Sequence, residues 1–83
     1  MNVAEQPLFF DQKIDLSGLI CPKPLMHTRK IVSLMNKSEV LFVQVTDPSF
    51  QIDCEVFARQ AGHKLLKSWK EDLKFCFLIQ KGH

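Results

Sequence analysis

The chain alternates between strand-like and helix-like segments, and this order constrains its fold more than any other feature. Apolar residues alternate with polar ones in "KIDLSG" and fill most of "EVLFVQV", whereas they recur at intervals of three and four after Pro22 and after Pro48. Two more strand-like segments follow, at about residues 63–69 and 74–81, joined by a turn. The predicted order is therefore β-α-β-α-β-β.

Prolines and a glycine mark the predicted helix boundaries. The first helix is predicted to run from Pro22 to about Asn36. The second is predicted to begin at "TDPSF", with Asp47 as its N-cap and Pro48 in its first turn, and to end where Gly62 takes a left-handed conformation. The apolar faces comprise Leu25, Thr28, Ile31, Val32 and Met35 in the first helix, and Phe50, Cys54, Phe57 and Ala61 in the second.

Two helices with one apolar face each and four strands pack most simply in two layers. We therefore predict an α/β (α+β) two-layer sandwich, a four-stranded mixed sheet with both helices on one face. Residues 12–83 would form this single domain. Residues 1–11 would form a flexible arm, from which Leu8, Phe9 and Phe10 could pack against the domain.

Composition excludes several classes of function. The net charge is only +2 and there is no Tyr, so we expect no direct nucleic-acid binding. Three cysteines without a CxxC pair do not match a disulfide framework. The N-terminus lacks signal-peptide character, and no apolar run approaches the roughly 20 residues of a membrane span. A cytoplasmic protein is expected; its oligomeric state is left open, with a monomer favoured.

The stretch "SGLICPKPLMHTRK" presents a cysteine at a helix start. Pro22 and Pro24 lose no hydrogen bond in the first turn and stiffen the backbone at Cys21. The helix dipole, the Lys23 ammonium and the N–H of Lys23 or Leu25 would favour a Cys21 thiolate, which is the nucleophilic form. The alternative is a merely structural cap-position cysteine, and the second proline favours the functional interpretation.

The sequence shows no Cys-His or Ser-His-Asp arrangement around Cys21 and no glycine-rich phosphate loop. A nucleophile without a general base or a pocket suits a relay, in which sulfur is accepted from one protein and passed to another. No cofactor, metal site or small-molecule pocket is expected.

These residues resemble the TusA family of sulfur carriers, also called SirA-like. The resemblance extends over about residues 12–82. The matching residues are Gly18-Leu19, Cys21-Pro22-Lys23-Pro24-Leu25, Lys30, Asp47-Pro48, Asp53, Phe57, Gly62-His63, Leu65 and the closing "LIQKG".

The resemblance implies a two-layer sandwich and a sulfurtransferase activity. Cys21 would carry a persulfide received from a cysteine desulfurase, supported by Pro22, Lys23 and Pro24 of the CPxP motif. Downstream relay proteins would take the sulfur, ultimately for 2-thiolation of the tRNA wobble uridine. Arg29 and Asp47 match positions implicated in partner contact.

Other members of the family serve sulfur oxidation, molybdenum cofactor supply or selenium metabolism, so a destination other than tRNA stays open. From a different class, a redox-sensing or regulatory module would oxidise Cys21 instead of loading it. A small zinc protein is disfavoured, because three Cys and three His lack paired ligand spacing.

Four further expectations concern individual side chains. Cys54 is expected in the core, whereas Cys76, a departure from the family pattern like Cys54, could face either side of its strand. His63 is expected to cap or start a strand, the alternative being a proton donor near the sulfur. The cations Lys23, Lys30 and Lys37, at seven-residue spacing on the first helix with His27 beside them and Arg29 at their flank, form either a partner-binding stripe or a solvated face.

Overall fold

The structure is a computed structural model, and it describes residues 9–83. The elements follow the predicted order β-α-β-α-β-β, with ends that differ from the predicted ones by one to two residues. They are β1 (Gln12–Asp15), α1 (Lys23–Leu34), β2 (Val40–Val45), α2 (Phe50–Ala61), β3 (Lys64–Glu71) and β4 (Lys74–Gln80).

The four strands form one mixed sheet in the order β1-β2-β4-β3. Strand β1 runs parallel to β2, with Ile14 opposite Val43, and β4 runs antiparallel to both of its neighbours. The β3–β4 register shifts between Leu65 and Lys67, which leaves Leu66 as the extra residue of a bulge. The predicted mixed sheet is confirmed.

Both helices pack on one face of the sheet, as predicted. Val32 of α1 and Phe50 and Cys54 of α2 belong to the same buried cluster as Val43 of β2 and Phe77 of β4. Phe50 and Phe77 meet edge to face, with ring centroids 5.1 Å apart. Strand β2 is buried along its whole length, which explains why its sequence is nearly continuous in apolar residues.

The helix-free face of the sheet carries a smaller cluster. Its buried members are Val40, Phe42, Cys76 and Leu78, with Trp69 packed against them. Phe10 lies edge-on against Phe42, with ring centroids 5.2 Å apart, while Phe9 is exposed. Leu8 and the rest of the predicted arm up to residue 8 lie outside the described residues.

The predicted entry of α2 is wrong by two residues. The N-cap is Ser49 rather than Asp47, and Pro48 precedes the helix. The reason is a tight turn before the helix, in which Asp47 Oδ1 accepts hydrogen bonds from the Ser49 N–H (3.0 Å) and hydroxyl (2.9 Å). The Phe50 N–H closes the turn on the Asp47 carbonyl.

The predicted exit of α2 is confirmed. Gly62 has φ 78° and ψ 24°, in the left-handed region that favours glycine. The His63 N–H reaches back to the Ala58 carbonyl at 2.8 Å, the bond of a Schellman motif. Ala58, which the predicted apolar face omitted, is buried, while Ala61 is half-buried.

The chain after β4 crosses the end of α2 at very close range. A Cβ placed on Gly82 would lie 1.7 Å from the Gly62 carbonyl oxygen, so only glycine fits there. The Gly82 N–H donates to His63 Nδ1 at 3.0 Å. Lys81 Nζ donates to the carbonyls of Ser33 (3.2 Å) and Met35 (2.8 Å) and thus caps the C-terminal end of α1.

Within residues 9–83, neither helix has the length and apolar character needed to cross a membrane.

Candidate functional site

Cys21 lies in the loop between β1 and α1, and its side chain is exposed. Helix α1 begins two residues later, with Pro22 at the N-cap and Pro24 buried in the first turn. The peptide bond between Cys21 and Pro22 is cis, which no feature of the sequence indicated. The structure thus places the sulfur at a helix start on the protein surface, as predicted.

The Asp47 carboxylate connects the Cys21 loop to the start of α2. Its Oδ2 accepts the Cys21 N–H at 2.7 Å, while its Oδ1 accepts the two donors of Ser49. These hydrogen bonds, first from the backbone of Ser49 and then from the backbone of Cys21, lower the pKa of Asp47. Asp47, which the resemblance associated with partner contact, is therefore fully engaged inside the chain.

Two more hydrogen bonds hold the same loop against β2. The Leu16 N–H donates to the Gln44 carbonyl at 2.7 Å, and the Gly18 N–H donates to Thr46 Oγ1 at 2.9 Å. Gly18 has φ 88°, so the turn also depends on glycine. The loop is thus fixed at several points while the thiol remains accessible.

A second carboxylate, that of Asp53, lies beside the sulfur. Cys21 Sγ is 3.9 Å from Asp53 Oδ2, so the thiol can donate a weak hydrogen bond to it. Local sequence does not predict this contact, because Asp53 is 32 residues away along the chain. Its presence among the residues that carry the family resemblance was the one signal that could have indicated it.

One predicted donor to the sulfur is wrong. The Lys23 N–H donates to the Ile20 carbonyl at 2.9 Å, because the chain turns tightly before α1. It is therefore committed to the backbone, and of the two predicted N–H donors only that of Leu25 is left for a thiolate.

The predicted stripe of three lysines on one helix is also wrong. Helix α1 ends at Leu34, so Lys37 lies in the following turn, next to Ser38 with φ 73°. Lys23, Arg29 and Lys30 are on the helix and exposed, as is His27. The exposed cations on α1 are thus Lys23, Arg29 and Lys30, without Lys37.

A shallow cleft runs between α1 and α2 beside the sulfur. It has a volume of about 180 Å³ and is lined by Leu25 and Arg29 from α1 and by Asp53, Val56, Phe57 and Gln60 from α2. Two apolar side chains stand exposed near Cys21 and Asp53 in the sequence, Ile20 at 71% and Ile52 at 68% of their full accessibility. We call Cys21, Asp47 and Asp53, together with this cleft and the exposed Ile20 and Ile52, the sulfur end of the molecule.

The other two cysteines are inaccessible. Cys54 lies in the core, as predicted, and burial, with smaller effects of Glu55 and Asp53, raises its pKa to about 12. Cys76 is also buried, but on the helix-free face, because the neighbouring Phe75 and Phe77 point towards the helices. Burial raises the pKa of Cys76 too. Both buried thiols are thus held in the unreactive protonated form.

His63 lies far from the sulfur. Asp53 and Ala61 are eight residues apart on α2, about 12 Å along the helix axis, and His63 follows beyond that end. Its ring packs against Phe57 and His83, with centroid distances of 5.4 and 5.7 Å. The expected structural role at the start of β3 agrees with this position.

Comparison with known proteins gives one consistent answer. The family described as Sulfurtransferase TusA matches residues 12–81. The sulfur carrier protein TusA of Allochromatium vinosum is 44% identical over 73 residues, covering 88% of this chain and 96% of that protein. A candidate sulfur carrier protein of Neisseria meningitidis is 36% identical over 69 residues, 83% of this chain and 93% of its own length.

Two other relatives extend the comparison. A candidate sulfur carrier protein of Aquifex aeolicus is 44% identical over 72 residues, which are 87% of this chain but only 36% of that longer protein. The crystal structure of the SirA-like protein from Desulfitobacterium hafniense superimposes with a TM-score of 0.76 at 21% identity, covering 88% of this chain and all of the other. That likeness supports the fold. From the matched family and these relatives, the chain belongs to the TusA family of sulfurtransferases, a family of sulfur carriers.

Proposed function

We propose that this protein is a persulfide relay in which Cys21 is the carrier residue. The observation that carries the proposal is the contrast among the three cysteines: Cys21 alone is exposed, at a helix start, while Cys54 and Cys76 are buried. Membership in a family of sulfur carriers supplies the sulfur chemistry. Of the three thiols, only that of Cys21 is accessible to a sulfur donor.

The donor is a cysteine desulfurase carrying a persulfide. The Cys21 thiolate attacks the outer sulfur of that persulfide, one S–S bond breaks, and the donor cysteine leaves as a thiolate. A new S–S bond forms at Cys21, so the exchange needs no external oxidant or reductant. The Cys21 proton is released to solvent, with Asp53 Oδ2 as the nearest side-chain acceptor.

Onward transfer repeats the same exchange with the roles reversed. A thiolate of the acceptor protein attacks the outer sulfur of the Cys21 persulfide, and Cys21 leaves as a thiolate. We assign the acceptors to a cytoplasmic relay that ends in 2-thiolation of the tRNA wobble uridine. The protein itself would contact relay proteins and not tRNA, in keeping with its net charge of only +2.

Partners would dock around the sulfur end. The exposed Ile20 and Ile52 offer apolar contact, and the exposed cations Lys23, Arg29 and Lys30 favour an acidic partner surface. Because both Asp47 oxygens are engaged within the chain, we assign Asp47 the role of holding the Cys21 loop in place. Pro24 stiffens the first turn of α1, and Lys23 gives this turn a positive charge.

The proposal is tested by incubating the protein with a cysteine desulfurase and cysteine and weighing it intact. Wild type is expected to gain one or more sulfur atoms, Cys21→Ser none. The matched control, Cys54→Ala, should load like wild type. Loading of Cys21→Ser at the wild-type level would assign the carrier elsewhere. Oxygen atoms added to Cys21 in place of sulfur would support redox sensing instead.

The tRNA destination is tested separately. In a strain lacking the gene, the 2-thiouridine content of tRNA should fall and should recover with the wild-type gene but not with Cys21→Ser. An unchanged 2-thiouridine content in the deletion strain would indicate that the sulfur goes to another pathway. The result of the loading experiment would not be affected.

A further inference from the structure

A second cleft lies towards the C-terminal ends of the two helices, and it shares Arg29 and Phe57 with the cleft beside the sulfur. It has a volume of about 430 Å³, and four side chains with basic groups line it: Arg29 of α1, His63 before β3, and Lys81 and His83 after β4. We call these four residues the basic cleft. Apart from Arg29, which also lines the cleft beside the sulfur, its residues have no role in the proposed sulfur relay.

The floor of the basic cleft is apolar. Val32 of α1 and Phe57 and Ala61 of α2 form it. Val32 is buried, and Phe57 is packed against the core cluster. Charged hydrogen bonds above such a floor are less screened than on an open surface.

Among residues 9–83, the positive charge at the basic cleft has no acidic partner. No Asp or Glu of these described residues lines the cleft. Over the part of the chain that the structure describes, the ion pair found is Lys74–Asp15, which is elsewhere. The His83 ring lies beside that of His63, with centroids 5.7 Å apart. The pKa of His63 is lowered, first by burial and then by His83 and Lys81.

The donors are held in place by the surrounding backbone. Because His63 Nδ1 accepts the Gly82 N–H, the neutral ring carries its proton on Nε2 and remains a donor there. Lys81 Nζ uses two of its three hydrogens on the Ser33 and Met35 carbonyls and keeps one. Its charge also offsets the partial negative charge of the α1 C-terminus, which would otherwise repel an anion.

From this arrangement we propose that the basic cleft binds a small oxyanion of the phosphate or sulfate class. The Arg29 guanidinium provides a forked pair of N–H donors for two oxygens, and the ring N–H groups of His63 and His83 complete the set. A tetrahedral oxyanion suits donors that arrive from three separate segments of the chain.

The proposal implies a dependence on pH. The charged groups that face His63 are Arg29 from α1 and Lys81 and His83 from the chain after β4; α2 contributes only apolar side chains to this cleft. A bound anion favours the protonated form of His63, so the affinity for sulfate, which stays a dianion over this range, should rise as the pH falls below about 6.5, the ordinary pKa of histidine.

The test is an NMR titration of ¹⁵N-labelled protein with inorganic phosphate, with sulfate and with a phosphomonoester such as glycerol phosphate, at constant ionic strength set by chloride. Saturable shifts are expected at the Gly82 amide, at the His63 ring and at Arg29 Nε. Stronger binding of inorganic phosphate or of the ester identifies which source of the oxyanion the cleft prefers.

Matched variants distinguish a specific anion-binding site from a general effect of positive surface charge. Arg29→Ala and Lys30→Ala each remove one charge from neighbouring exposed positions of α1, but only Arg29 lines the cleft. Arg29→Ala should weaken phosphate binding by about tenfold or more, as expected for a lost charge-assisted hydrogen bond, while Lys30→Ala should leave it nearly unchanged. His83→Ala should weaken it in the same direction.

Two results would overturn the proposal. Shifts that never saturate, or that weaken equally in both α1 variants, would show an adventitious ion only. Saturable binding of an acidic peptide without any saturable binding of phosphate, sulfate or the ester would make the cleft a protein contact instead. Because none of these measurements uses sulfur loading, a failure here would not touch the proposed relay.

Discussion

The sulfur end and the basic cleft extend towards opposite ends of the same pair of helices and meet at Arg29, yet they are held in place by different means. At the sulfur end, the carboxylate of Asp47 links the Cys21 loop to the turn before α2. At the basic cleft, two backbone segments are in direct contact, because Gly82 lies so close to Gly62 that no side chain fits between them. One end is positioned by a side chain and the other by the main chain.

This difference fits the chemistry assigned to each end. A sulfur that is transferred between proteins must remain exposed. The Cys21 loop is accordingly held by hydrogen bonds on its inner side, and the thiol itself stays uncovered. The opposite end joins α2, β3 and the chain after β4, and it closes the C-terminal end of α1 through Lys81. Disturbing the basic cleft should therefore affect stability, whereas disturbing the sulfur end should affect presentation of the thiol.

The largest expected effect comes from comparing two glycines. Gly82→Ala places a methyl group against backbone atoms and should lower the free energy of unfolding by about 3 kcal/mol. Gly18→Ala, at φ 88° in open space, should cost about 1 kcal/mol of left-handed strain. Urea denaturation measures both. Equal losses would show that the two ends are fixed equally firmly.

The next effect concerns Asp47. Asp47→Ala removes the acceptor of the Cys21 N–H, so the Cys21 amide should exchange its hydrogen faster and desulfurase loading should slow. Asp47→Asn keeps one acceptor oxygen, so its Cys21 amide exchange and its loading rate should lie between those of wild type and Asp47→Ala. Glu55→Ala, also the loss of an exposed carboxylate, is the control for charge. Unchanged amide exchange in Asp47→Ala would mean that the loop does not depend on this carboxylate.

Acid should weaken the same contact. Because the folded pKa of Asp47 lies below its ordinary value of 3.8, the unfolded chain takes up the proton first as the pH falls. The stability that Asp47 contributes is therefore fully present well above pH 3.8 and is lost as the pH drops through the folded pKa. Asp47→Ala should flatten this acid limb of the stability curve.

The smallest expected effect is a pH dependence at the basic cleft. The folded pKa of His63 lies below 6.5, so at pH values just under 6.5 the unfolded chain binds more protons than the folded one. Stability should therefore fall as the pH drops below 6.5. His63→Gln should reduce this slope, whereas His27→Gln, exposed on α1, should preserve it. Identical slopes in both variants would remove His63 as the cause.

Much of this protein could be predicted from local sequence. The uninterrupted apolar run of β2, the helical spacing of Thr28 and Val32, and Gly62 at a helix end each follow from steric and periodic rules that act over a few residues. The exposed position of Cys21 at a helix start follows in the same way, because prolines in a first turn cost no hydrogen bond. These features agreed with the structure.

The contacts that give Cys21 its surroundings required the folded chain. Asp47 and Asp53 reach it from 26 and 32 residues away, and the basic cleft gathers Arg29, His63, Lys81 and His83 from three segments. Asp47 was expected to cap α2 because its local pattern fits a cap, but its carboxylate accepts hydrogen bonds from Ser49 and from the Cys21 N–H in the loop before α1. The elements, their order and the exposed cysteine at a helix start thus follow from local sequence. Which distant side chains meet Cys21 depends on how the helices pack on the sheet, and local sequence does not encode that packing.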